Sequence, residues 1–553
     1  MNRILSGLRL ATLGLLIAVL PSQVQAQSMD LQPGVVISLT NVEEHISDIE
    51  HLMEAAGVGQ LAGLVRMTTG EYLRGIDVDK PIGALLFFDE DNPEEPDVMS
   101  FLPVTDFEDV LDTLAPFVDI DEDGDDFILT AADGTEITTR VTDGYAFMVM
   151  DKEMLETLPE NPAEMLEDLP KEYNVAARVF GQNIPEGLRQ QAIDLIKAGA
   201  ESEMRNLGDG PEADLQRANF EYTMSEMEGI INETEEFVAG LAIDEDGGRI
   251  YIDFKMVGVE GSKLARQSNE FAKAPATRFG GFLVEDAAAN FHVNGKLLEE
   301  DIEKVQKVIG DIEKAARAQI EDEELEGEEA KAAEQLVDDL AQVVRDSVAK
   351  GHMDGGGSLV IENGDLQLVM GMSIAEGAKL EASVKKLAEW AKADDVPAKF
   401  NFDMATENGI RYHQIVLEVP SDEVEAREMF GEELEVLLGV GDDVVYLAAG
   451  KDCKALLTKC MNGTAPTMEE GMMTQMNMSV WPILRFMATV TDEADLTDIA
   501  ELLPEDASGR IRMTMRAVPN GQQFRFEMED AMLKVLTEIG QSMGGGGFAP
   551  DDF

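Results

Sequence analysis

Cysteine is almost missing from this chain. Only Cys453 and Cys460 occur in 553 residues. Both lie in KDCKALLTKC, which reads as helix. Seven helical residues separate the two Cα atoms by about 10 Å, beyond the reach of a disulfide unless the helix ends early. No C-x-x-C pair exists, so thiol redox chemistry and cysteine-based zinc sites have no footing. Histidine is scarce as well: His45, His51, His292, His352 and His413 are all there are. No H-E-x-x-H occurs. Glu44, Asp48 and His51, with His45 nearby, fit one helix face, which reads as a polar outer face rather than a metal site.

Positive charge is the third shortage. Lysine and arginine number 43 against 110 acids, a net charge of −67. So acidic a chain repels nucleic acid and anionic membrane surfaces. It reads as adapted to a salty external medium, where counter-ions screen self-repulsion. Loose binding of divalent cations is the sharper alternative.

Catalytic motifs are absent. There is no G-x-S-x-G and no G-x-x-x-x-G-K phosphate loop. S-x-x-K occurs at Ser347/Lys350 and Ser383/Lys386 without its S-D-N or K-T-G companions. Acids are so numerous that a pair of carboxylates carries no signal for glycoside chemistry.

What is present begins at the N-terminus. MNRILSGLR carries two arginines, LATLGLLIAVL is apolar, and Val24 and Ala26 are the small residues of a cleavage site. This reads as a secretory signal peptide over residues 1–26. The apolar run falls short of the about 20 residues that span a bilayer. No later run is long and apolar enough to cross one. The expectation is an exported chain without a membrane span, in the periplasm or outside the cell.

Hydrophobic residues make up 44%, enough for substantial cores, and the length suggests several domains or a repeat array. Repetition is visible. Residues 248–272, GRIYIDFKMVGVEGSKLARQSNEFA, return ungapped as residues 364–388, GDLQLVMGMSIAEGAKLEASVKKLA, with seven positions identical. In both copies a period of two gives way to a helical spacing after a glycine. Each is a strand, a short turn and a helix that folds back.

Residues 117–158 differ. Asp-Gly pairs at 123–124, 133–134 and 143–144 punctuate alternating apolar residues, which predicts a meander of hairpins. The same order of helical-hairpin module, meander and helical-hairpin module recurs over residues 284–540. The fold class expected is α+β, with two duplicated halves at 27–275 and 276–543. Antiparallel sheets should be covered on one face by helices, with projecting helical hairpins. Residues 544–553, glycine-rich and without pattern, read as a disordered tail.

The best metal candidate is Asp119, Asp121, Asp123 and Asp125 around Gly124. Spaced carboxylates about a glycine match the first half of a calcium loop. The twelfth position is Thr130, so the bidentate ligand is missing, and a solvated hairpin turn is the competing reading. Arg510, Arg512 and Arg516 share parity opposite Ile511, Met513 and Met515. With Arg525 they form either a docking patch for acidic groups or a set of local ion pairs. Thirty methionines is a high count. Met256, Met372, Met513 and Met515 fall on apolar strand faces, as core or as the lining of an adaptable apolar pocket.

The signal peptide, tandem α+β units and missing catalytic set resemble a loose class of uncharacterised exported bacterial proteins. That resemblance implies no activity and transfers no site residues. The function expected is a non-enzymatic binding or structural protein of the envelope or extracellular space. Its partner would be a protein or an apolar ligand, and no nucleic acid. The alternatives are a lipid carrier with a pocket between sheet and helices, and a calcium-dependent module.

Overall fold

The computed structural model describes residues 32–89, 92–93, 95–204, 211–322, 328–362, 364–393, 397–463, 471–491, 497, 500 and 509–542. The expected signal peptide at 1–26 and tail at 544–553 lie outside them. By contact the chain divides into two units. Unit 1 is Met1–Asp194, Ile231–Gly258 and Arg525–Phe553; unit 2 is Leu195–Ile230 and Val259–Phe524.

The first ten strands are β1 (Val35–Asn41), β2 (Pro81–Phe87), β3 (Asp97–Pro103), β4 (Asp119–Asp123), β5 (Asp126–Thr130), β6 (Glu136–Thr142), β7 (Tyr145–Val149), β8 (Val175–Phe180), β9 (Thr234–Asp244) and β10 (Arg249–Gly258). They pair antiparallel in the order β4-β5-β6-β7-β3-β2-β1-β8-β9-β10.

The second ten are β11 (Ala289–Lys296), β12 (His352–Glu362), β13 (Asp365–Ser373), β14 (Ala398–Glu407), β15 (Ile410–Glu418), β16 (Glu433–Val440), β17 (Val444–Gly450), β18 (Met472–Ser479), β19 (Arg510–Val518) and β20 (Gly521–Glu529). In unit 2 the order is β14-β15-β16-β17-β13-β12-β11-β18-β19, again antiparallel throughout. Adding ten to each strand number of unit 1 reproduces the order of unit 2 strand for strand, from β14 to β19. The fold is α+β, built on antiparallel sheet.

A smaller element order lies inside each set of ten. A strand, a helical stretch, two strands and a helix occur at β1–β3, β8–β10, β11–β13 and β18–β20. The sequence repeat belongs to this smaller order. Residues 248–272 form β10 and the helix Lys263–Phe271, while residues 364–388 form β13 and the start of the helix Gly377–Ala393. Both are the third strand of a module with its following helix. In the longer order, however, β10 stands where β20 does.

Local chemistry sets the element ends. Asn41 accepts a hydrogen bond from Glu44 N–H (2.8 Å), Asp106 from Glu108 N–H, and Ser262 from Ala265 N–H, each capping a helix start. Asp143-Gly144 and Asn408-Gly409 both take positive φ at the two turn residues, the conformation that twists a two-residue hairpin correctly. The helices Glu299–Asp322 and Glu328–Ala349 form a hairpin joined by Arg317–Asp338 and Arg345–Glu313 ion pairs.

Each sheet has one face packed on a core. In unit 1 Leu85, Phe101, Phe147, Leu166 and Leu169 bury it. In unit 2 the counterpart holds Phe279, Phe282, Val369, Leu437 and Leu457, with both cysteines. The helix Cys453–Asn462 runs through both, and the thiols are free and buried. Burial pushes the Cys453 thiol up to about 11, so it is inert at neutral pH.

Candidate functional site

The other face of the unit 2 sheet follows from register alone. Directly opposed residues share a face. Stepping across the pairings gives one row: His413, Leu438, Leu447, Met370, Gly357, Phe291, Met476, Met513. A neighbouring row contains Met372, Val293 and Met515, and another Leu368, Ala289, Met478 and Ile511. Apart from His413 these are apolar residues or glycine, on seven adjacent strands from β16 to β19, facing away from the core of Phe279 and Leu437.

The face is not closed. Met372 is 45% exposed, Met476 43%, Phe291 40% and Met513 36%, and Met370, Met478, Ile511 and Met515 are half-buried. Single exposed apolar residues are ordinary, but a contiguous set marks a binding surface. Glycine shapes it. A Cβ on Gly357 would lie 2.6 Å from Phe291 Cε1, so the Phe291 ring rests across bare backbone.

At the β15 end the row turns polar. His413 is 1% exposed, and its Nδ1 accepts the Asp403 backbone N–H at 3.1 Å. The neutral ring therefore carries its proton on Nε2, which points to Glu381 Oε1 at 3.5 Å. The helix Gly377–Ala393 brings Glu381 and Lys385 over the strands. Lys385 Nζ donates to Glu381 Oε1 (2.7 Å) and Asp403 Oδ2 (2.9 Å), and Arg411 Nε donates to Glu381 Oε2 (2.5 Å). Asp403 takes φ +56 inside an irregularity of β14 between Asn401 and Ala405, which turns its side chain into this group.

The charges settle one another. Burial pushes the Glu381 carboxyl up, but the Lys385 and Arg411 hydrogen bonds outweigh it and hold it below the usual range. Asp403 is lowered chiefly by Lys385, while burial lowers His413.

Glu381, Asp403 and His413 offer ligand atoms within 4.8 Å of one another. The geometry does not favour a metal there. Nε2 could ligate only after giving up its proton, which would put a proton on Nδ1 against the Asp403 N–H. The Lys385 ammonium already sits between the carboxylates. The corresponding place in unit 1 is apolar, with Phe127 of β5 against Phe107 at 5.3 Å.

The sequence-predicted carboxylates fall elsewhere. Asp119, Asp121 and Asp123 lie on β4 and Asp125 in the turn to β5. Residues 119–123 pair with 126–130, so the four carboxylates sit on and beside a two-stranded hairpin, the arrangement of the competing reading. Asp123 pairs with Lys152 at 2.7 Å. The acid of consequence is the neighbour that sequence reasoning passed over. Asp126 is buried and held by Arg140 at 2.6 Å and 3.0 Å.

The reading of Glu44, Asp48 and His51 as an outer face also needs correction. Asp48 is buried, bonded to Asn174 Nδ2 at 2.5 Å, and His51 pairs with Asp530 at 2.7 Å. Burial, then the nearby Glu245 and Glu44, push the Asp48 carboxyl up to about 7. Arg525 of the arginine set is an internal ion-pair partner. Its guanidinium holds the fully buried Asp253 at 2.7 Å twice and lies 3.9 Å above the Tyr251 ring.

Comparison with protein-family models, with curated proteins and with solved structures returned no match. Among the described residues, no helix is long and apolar enough to cross a membrane.

Proposed function

We propose that the chain is an exported, non-enzymatic binding protein, and that the open face of the unit 2 sheet takes up the acyl chain of a lipid. The observation that carries this is the exposed run Met372, Phe291, Met476 and Met513 on paired strands. Methionine suits the task, since its unbranched thioether adapts to an irregular or moving guest. Four inter-strand steps separate Met370 from Met513, about 19 Å at ~4.8 Å per step. One leaflet of a bilayer's hydrocarbon core is about 15 Å deep. A stretched acyl chain therefore matches the row.

The charge argues against the obvious competitors. At −67 the chain repels a second copy of itself and anionic surfaces. The agreement of strand order between the units supports a duplicated scaffold, and the Glu381 group reads as an ion-pair lock rather than a catalytic set. A fluorescent long-chain fatty acid titrated into the protein should bind and be displaced by unlabelled fatty acid. Phe291→Glu with Met476→Glu should weaken binding at least about tenfold, since each charge would have to be desolvated. No binding by the native chain, or full binding by the double variant, contradicts the reading.

A further inference from the structure

Four methionines form a zigzag on the open face, with Met476 and Met513 at its centre and Met478 and Met515 at its ends. Met476 and Met478 alternate along β18; Met513 and Met515 alternate along β19. Met476 and Met513 are directly opposed. Residues so placed have Cβ atoms about 5 Å apart, and diagonal neighbours such as Met476 with Met515, or Met478 with Met513, about 7–8 Å. Three rotatable bonds per side chain let the sulfurs converge from those spacings. None of the four is fully buried: Met476 and Met513 are exposed and Met478 and Met515 half-buried.

The fold does not demand sulfur here. By the same register, the matching positions of unit 1 are Ala177 and Val179 on β8 and Ala239 and Leu241 on β9. One strand order thus carries four thioethers in unit 2 and plain aliphatics in unit 1. Core filling alone gives no reason for that difference.

We propose that Met476, Met478, Met513 and Met515 form a binding site for a soft monovalent cation, Cu(I) being the natural one. Thioethers are soft neutral donors that select Cu(I) over the hard cations preferred by carboxylates. The chain's 110 acids therefore do not compete for it, while their field raises the concentration of cations near the surface. Two or three thioethers complete the site without a charged ligand, which matches its setting among Phe291, Ile511 and Ala289. This proposal does not rest on the lipid reading: it concerns the sulfur atoms and not the apolar surface. Leucine keeps the apolar surface and removes the sulfur.

The test is anaerobic titration of the full chain against a chromophoric Cu(I) chelator, beside a variant carrying Met476→Leu, Met478→Leu, Met513→Leu and Met515→Leu. The native protein should withdraw about one equivalent of Cu(I), and the variant should lose that uptake at least tenfold while keeping its melting temperature. Should the four changes disturb folding, Met513→Leu alone gives the same readout, with a smaller loss. Equal uptake by native and variant chains overturns the site. So does uptake that the methionine changes spare but Cys453→Ala with Cys460→Ala abolishes.

Discussion

At the scale of single residues the most informative group is Asp48. Its carboxyl is raised to about 7, first by burial and then by Glu245 and Glu44. In the unfolded chain it ionises near 3.8. Between those values the native state holds a proton that the unfolded state has lost, so this group lowers stability as pH climbs through that window. Asp48→Asn should therefore raise the melting temperature little at pH 4, progressively more up to pH 7, and no further above it. A gain constant across that range in thermal melts would contradict the assignment. Asp253 gives a second case. Arg525→Met strands a fully buried carboxylate and should cost about 3–5 kcal/mol in denaturant unfolding. Adding Asp253→Leu should recover much of the loss, because the uncompensated charge is then gone.

At the scale of elements, the strands and caps were legible because alternation, Asp-Gly turns and capping residues act over a few positions. Asn41 and Asp106 cap as their side-chain chemistry suggests. What stayed open in the sequence is decided at long range. Asp119–Asp123 alternates acids with Ile120, and nothing local says whether it curls round an ion or pairs with residues 126–130. The choice goes to the hairpin, whose ladder satisfies backbone groups on the side facing β5 and leaves the acids on an edge strand that resists aggregation. Replacing Asp119, Asp121 and Asp123 with Asn should accordingly leave the calcium response of the melting temperature unchanged; loss of a calcium shift would restore the loop. Glu381, Asp403 and His413 were invisible for a similar reason. They meet only because a helix crosses β15 and an irregularity in β14 turns Asp403 inward. The methionine alternation could be read, but which sheet face stays open depends on what the rest of the chain covers.

At the scale of the whole molecule two facts stand together: a net charge of −67 and a run of exposed apolar residues, Met372, Phe291, Met476 and Met513, on one sheet face. The charge keeps copies apart and so makes an open face tolerable. It also costs stability through self-repulsion, which salt screens. Raising sodium chloride from low to about 0.5 M, where the Debye length falls to a few ångströms, should raise the melting temperature; a fall would mean that ion pairs such as Arg317–Asp338 outweigh the repulsion. The most direct test of the binding surface is photo-crosslinking with a diazirine-bearing fatty acid, followed by peptide mapping. Adducts should concentrate on 289–296, 472–479 and 510–518 and fall away in the presence of unlabelled fatty acid. Adducts confined to other segments, or none at all, would contradict the account.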